Sequence, residues 1–175
     1  MTILAPLRIA DAPHVQRLFE RCADFFVLTE GQPPAPDLAE KELTFTIPGG
    51  SPDDIACFGV FDGDHLIAFA QLLPNPGQRL EWWLGLLLLD PAERSRGLGP
   101  RIHEELLAWL AAQGATKLWI GVLTQNEAAE RFWKRLGYEE LDRRPYVATT
   151  GFKSTVIVMW IDVPPIRTTP SSPSG

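Results

Sequence analysis

Cysteine, histidine and positive charge are all scarce in this chain. Cys22 and Cys57 are its only cysteines. Two cannot build a disulfide framework, and so few fit a reducing compartment. His14, His65 and His103 are widely spaced and share no metal-ligand spacing with either cysteine, so no metal site is expected. Sixteen Lys and Arg against 22 Asp and Glu leave a net charge of −6 and a pI near 5.1. That balance argues against a nucleic-acid partner, which needs a clustered positive surface, and makes any basic feature local. Long apolar runs are missing as well. The longest in mid-chain, 82–89, falls far short of the roughly 20 residues that span a membrane. The first seven residues lack a basic start and carry Pro6 where a signal-peptide core would continue. No membrane association and a cytoplasmic location are the expectations.

What is present is ordinary globular composition, 45% hydrophobic and 22% charged, in 175 residues. One domain over 1–163 is expected, followed by a disordered tail, 164–175, rich in Pro, Ser and Thr. Residues 7–10 can form a short strand. Asp11 and Pro13 then suit a helix start, with Val15, Leu18, Phe19 and Cys22 at helical spacing and an end near Phe26. A second helix is expected over 37–45. Strands over 55–61 and 65–73 flank Asp62-Gly63-Asp64, a tight hairpin signature, and 79–89 is the third strand of a meander. Its apolar second half implies burial on both faces. Helix 101–112, strand 117–123 and helix 126–136 follow, then strands over 138–142 and 155–161. A strand-helix-strand crossover makes 79–89 and 117–123 parallel neighbours. The fold class is therefore α/β, with a mixed, mostly antiparallel sheet of about seven strands and about four helices.

The most informative stretch runs from the leucines 86–89 through Arg94-Ser95-Arg96-Gly97-Leu98-Gly99-Pro100 into a helix. A glycine loop entering a helix exposes several N–H groups in one direction, where the helix dipole adds positive character, so it suits phosphate. Arg94, Arg96 and Arg101 strengthen the attraction, and glycines at 97 and 99 allow close approach. A tight turn capped by glycine reads the same residues without a ligand. A dinucleotide-binding loop would want a third glycine at Ile102, and a P-loop would want Lys followed by Ser or Thr; neither is present.

Over roughly 7–161 the chain resembles the GNAT superfamily of N-acetyltransferases. The resemblance rests on Arg94, Gly97 and Gly99 in the loop, and on Asn126, Ala129, Phe132-Trp133 and Gly137-Tyr138 in a second motif. It extends to the Trp-Trp-Leu-Gly-Leu-Leu-Leu-Leu-Asp-Pro run of a bacterial branch. It implies acetyl-CoA as acetyl donor, held where strands 4 and 5 splay apart. The backbone of Leu87, Leu88 and Leu89 would pair with the pantetheine arm, and residues 94–100, including Ser95, Leu98 and Pro100, would wrap the pyrophosphate. Asn126 reads both as a helix cap and as a cofactor contact, with Trp133 beside the thioester.

Direct transfer to an amine needs a base, and Glu81, on the same side of the strand as Trp83, is the preferred candidate; a solvated charge near a strand start is the other reading. The family frequently places tyrosine where this chain has Trp133, and indole has no proton of useful acidity. Tyr138 is the chosen substitute as proton donor, with Tyr146 or water behind it. Phe26, Glu30 and Trp83 are the substrate-binding candidates. The acceptor expected is a small-molecule primary amine. The alternatives are a protein or peptide amine, or a non-catalytic acyl-CoA-binding domain. A homodimer is left open.

Overall fold

The computed structural model describes residues 3–165, so most of the expected tail, 166–175, lies outside the described residues. Among the described residues seven strands form one sheet: β1 (Ala5–Pro6), β2 (Ala56–Asp62), β3 (His65–Pro74), β4 (Glu81–Leu89), β5 (Lys117–Leu123), β6 (Glu139–Val147) and β7 (Lys153–Asp162), in the order β1-β2-β3-β4-β5-β7-β6. Of these, only β4 and β5 pair in parallel. The helices are α1 (Ala12–Arg21), α2 (Ala23–Glu30), α3 (Leu38–Leu43), α4 (Leu98–Ala112) and α5 (Glu127–Arg135). Among the described residues no helix is long and apolar enough to cross a membrane.

The sheet separates two cores. On one face α4 buries Ile102, Leu106 and Leu110 completely against Leu72, Leu118 and Met159. On the other, Val15, Leu18 and Phe19 of α1 pack with Phe26, Phe69 and Leu88. Each such side chain contributes roughly 1.5–3 kcal/mol on leaving water. β2 and β3 read as near-continuous apolar runs because both of their faces are covered.

Several boundaries differ from expectation for local reasons. The first strand lies at Ala5–Pro6, not 7–10, and Ile9–Asp11 is a 3-10 turn. The Asp11 carboxylate accepts the Arg8 N–H at 2.8 Å, a side-chain contact that draws the chain out of the sheet. The first helix does not end near Phe26. It breaks at Cys22 and resumes as α2 to Glu30, where Gly31 terminates it at φ 74°, giving five helices among the described residues rather than four. β6 and β7 extend beyond their expected limits into a long hairpin, which polar β6 hid because nearly all of its residues are exposed at the sheet edge. The second half of β4 is not buried on both faces: Leu88 is buried, Gly85 is exposed, and Leu86, Leu87 and Leu89 are half-buried.

Candidate active site

That partial burial has a cause in strand pairing. Gln71 of β3 pairs with Leu86 and Leu72 with Leu84, so Gly85 is the extra residue of a β-bulge. The parallel ladder to β5 ends at the same place, its last pair being Leu84 with Ile120. A bulge turns the strand, and β4 and β5 splay beyond it. Gly85 is required by close approach: a Cβ there would lie 2.9 Å from both Gln71 Oε1 and Leu73 Cδ1.

Two cavities open at the splay. A channel of about 160 Å³ is lined by Leu87 on β4, Val122 on β5, and Asn126, Ala129 and Trp133 of the following unit. A larger cleft of about 930 Å³ lies under α2 and α3 and the β6–β7 turn, and all three substrate-binding candidates, Phe26, Glu30 and Trp83, line it. Phe25, Thr29, Gly85, Leu86, Gly121 and Leu123 are common to both walls, so the cavities meet at the bulge.

The glycine loop leads from β4 into α4. Gly97 sits at the helix start with φ 82°, a left-handed turn that costs an L-residue roughly 1–2 kcal/mol, and no atom lies within 4 Å of a Cβ there. Gly99 has a different reason from the ligand approach expected: its Cβ would meet the Phe132 ring at 3.1 Å, so it is needed for packing α4 on α5. Ser95 also has positive φ, Leu98 begins the helix and Pro100 falls in its first turn. Arg96 is exposed beside Glu93 at 3.4 Å, and Arg101 is exposed. Arg94 is already engaged. Its guanidinium donates to both Asp24 oxygens, at 2.5 and 3.0 Å, tying the loop to α2. That pairing holds the Asp24 carboxyl below its usual pKa.

Asn126 caps α5, its Oδ1 accepting the Ala129 N–H at 3.2 Å, and it also lines the channel. Trp133, 7% exposed, stands in the channel wall with Tyr138 behind it, ring centroids 5.1 Å apart. The Tyr138 hydroxyl lies 3.1 Å from His103 Nε2, inside the core and outside the lining of either cavity. Burial raises the Tyr138 pKa, which makes it a weaker acid, and lowers that of His103 to about 4, so the imidazole is neutral. Leu88 is buried against α1, and Leu89 presents its carbonyl to Cys22 Sγ and Arg94 Nε, each at 3.3 Å.

Glu81 shares the face of Trp83 but sits at the far end of β4. Its Oε2 accepts from Trp119 Nε1 at 2.6 Å and from Asn75 at 3.3 Å, outside the lining of both cavities. Trp83 stacks on Trp119 between Glu81 and the cleft, ring centroids 5.9 Å apart. The carboxylates in the cleft wall are Glu30 and Glu42, with Tyr146 the cleft phenol. Burial raises the pKa of Glu30, against the opposing pull of the Thr150 and Thr149 side chains, and raises that of Glu42. Buried Gln71 donates through Nε2 to the Glu42 carboxylate and to its carbonyl, both at 2.9 Å. Glu42 carries no sequence signature. Gly85 and Gly121 do, as isolated glycines within apolar strands.

A bulged strand splayed from its parallel neighbour, a glycine loop opening a helix, and a channel meeting a cleft at the splay make up the candidate site. The sequence model described as the acetyltransferase (GNAT) family matches residues 15–138, and the chain belongs to that family. Over 78 residues it is 32% identical to the ribosomal protein bS18-alanine N-acetyltransferase of Salmonella typhimurium, covering 44% of this chain and 53% of that one. It is 28% identical over 75 residues to an uncharacterized N-acetyltransferase of Mycobacterium tuberculosis, 43% and 47% of the two chains. The chain spans about half the length of these curated relatives. The crystal structure of the ribosomal-protein-S18-alanine N-acetyltransferase from Escherichia coli superposes with a TM-score of 0.70 at 22% identity, covering 93% and 94% of the chains. That of an acetyltransferase from Thermus thermophilus gives 0.73 at 21% identity, covering 93% and 99%. Likeness at that identity speaks for the fold.

Proposed function

We propose that the chain transfers acetyl from acetyl-CoA to a primary amine, with a small molecule as acceptor. The observation that carries this reading is the shared wall of channel and cleft at Gly85, Leu86 and Gly121, which lets two ligands enter from different sides and meet. The main chain of β4 past the bulge has no β5 partner, so Leu87 and its neighbours can pair with an amide-bearing arm, as an added strand would. Residues 94–100 then lie where a pyrophosphate meets the start of a 15-residue helix, with Arg96 and Arg101 exposed beside it. Arg94 serves by fixing the loop to Asp24 rather than by lying free.

Bound acetyl-CoA supplies an activated acyl carbon and a thiolate leaving group. The residues must orient the amine, exclude water and take up a proton. Phe25, Leu86 and Leu123 make the junction largely apolar, and Trp133 lines the channel that leads to it. Glu30 and Glu42 are the carboxylates in the cleft wall, and we assign proton removal to Glu42, which Gln71 holds beside the bulge. Glu81 is held by Trp119 behind Trp83 and would act only through a relay. Comparing Glu81→Gln with Glu42→Gln separates the assignments: full turnover in the first and a large loss in the second supports the cleft wall, and the reverse supports Glu81. Trp133 packs in the channel wall, and Tyr138 supports it from behind.

The relatives named for bS18-alanine acetylation favour a second reading, an N-terminal alanine amine. Free-thiol release from acetyl-CoA, assayed across small amines and an alanine-leading peptide, tests both. Calorimetric binding of coenzyme A without acceptor-dependent release across the panel would instead point to a non-catalytic acyl-CoA-binding domain.

A further inference from the structure

Charge in the larger cleft is unevenly satisfied. Of the charged residues in its wall, Lys41 is paired with Asp37 at 2.8 Å and Arg144 with Asp142 at 3.1 Å, both at exposed positions. Among the described residues Glu30 and Glu42 form no ion pair. Glu42 receives only the neutral Gln71 amide, and Glu30 Oε2 is fully buried with no hydrogen-bond partner. A buried carboxylate oxygen left in this way is costly unless something arrives to pair with it. The Gln71 amide that donates to Glu42 stands 2.9 Å from a Cβ at Gly85, so Glu42 lies beside the bulge, and Phe25, Phe26, Trp83 and Tyr146 make the cleft wall aromatic. The cleft is thus greasy along its length, acidic at two points, and joined at the bulge to the channel.

We infer that the cleft accepts an amine carrying a second cationic group on an alkyl chain, one nitrogen being acetylated at the bulge beside Glu42 while the other pairs with the Glu30 carboxylate. This rests on the acetyl-transfer reading and names its acceptor class. A simple monoamine meets one carboxylate, as an ammonium that must surrender its proton, and leaves the other uncompensated. A second ammonium neutralises it. Burial raises the pKa of Glu42, the Gln71 hydrogen bond opposes it, and the charge of Glu30 raises it further; a second ammonium on Glu30 relieves the last of these. An acceptor ending in a carboxylate would bring a third negative charge against the pair.

Three probes of equal chain length test this on the full chain: 1,4-diaminobutane, n-butylamine and 4-aminobutanoate, with the three-, five- and six-carbon diamines setting the reach. The expected result is kcat/KM for the best diamine at least tenfold above the monoamine of its length, 4-aminobutanoate the poorest of the three four-carbon probes, and the diamine-to-monoamine ratio falling toward one in Glu30→Gln. Equal rates for diamine and monoamine, a preference for 4-aminobutanoate or for an alanine-leading peptide, or a ratio that survives Glu30→Gln would overturn it. Because the comparison is made first on the unaltered protein, a variant that fails to fold leaves the test intact. Calorimetry with the same probes reads the cleft where no turnover occurs. Failure to bind coenzyme A overturns the acetyl-transfer reading, whereas thiol release with no preference for diamines overturns this inference alone.

Discussion

Adding a single methyl group at Gly85 tests the bulge as the organiser of the site. The new Cβ in Gly85→Ala would stand 2.9 Å from Gln71 Oε1 and from Leu73 Cδ1, so something must move. Gln71 is 3% exposed and held through both hydrogen bonds to Glu42, which leaves it little room. Overpacking of this kind costs about 1–3 kcal/mol, and losing a Gln71 hydrogen bond adds roughly 0.5–1.5 kcal/mol. A destabilisation of about 2–3 kcal/mol is expected in urea unfolding, seen as a lower midpoint at unchanged slope. The KM for the amine should rise as well, because the displaced amide is what holds Glu42 in the cleft wall. A double-mutant cycle isolates the cause: in a Gln71→Ala background the second substitution should cost about 1 kcal/mol less. A Gly85→Ala protein within about 0.5 kcal/mol of wild type, or one strictly additive with Gln71→Ala, would refute the reasoning.

Two further outcomes follow from the same geometry. Asn126→Ala removes the cap on α5 and should cost about 1 kcal/mol of stability; a dual role also raises the KM for acetyl-CoA beyond the change in a purely structural variant, which steady-state kinetics at fixed acceptor would show. His103, whose pKa burial lowers to about 4, is held neutral in the fold, so its stabilising contribution is present above pH 6.5 and lost as the pH falls from there to about 4. The loss amounts to about 3 kcal/mol, and His103→Leu should flatten the dependence of unfolding free energy on pH across that window.

Legibility in the sequence followed the range of the interactions involved. The glycine loop, the Asn126 cap, strand β5 at 117–123 and the parallel crossover were all readable, because turn chemistry, helix capping and apolar periodicity act over a few residues. Phe26, Glu30 and Trp83 were readable only by chemical type, an acid for a cationic amine and two aromatics for an apolar wall, and they line one cleft. Gly85 offered a signal that a lone glycine in a strand always offers, and the bulge it marks explains why the leucines after it are half-exposed.

What the sequence by itself determined was most of the elements, their order and the glycine-loop motif, since each is encoded by neighbours along the chain. Only the tertiary structure decided which side chains are available for chemistry. Arg94 is bound to Asp24 seventy residues away, Glu81 is held by Trp119, and Tyr138 is enclosed with His103, while Glu42 is brought to the cleft by Gln71. Each of these pairings closes a long loop and depends on how the sheet stacks α1 to α3 on one face and α4 on the other. No local pattern could carry them, because burial and partnership are properties of the packed sheet and not of the strand.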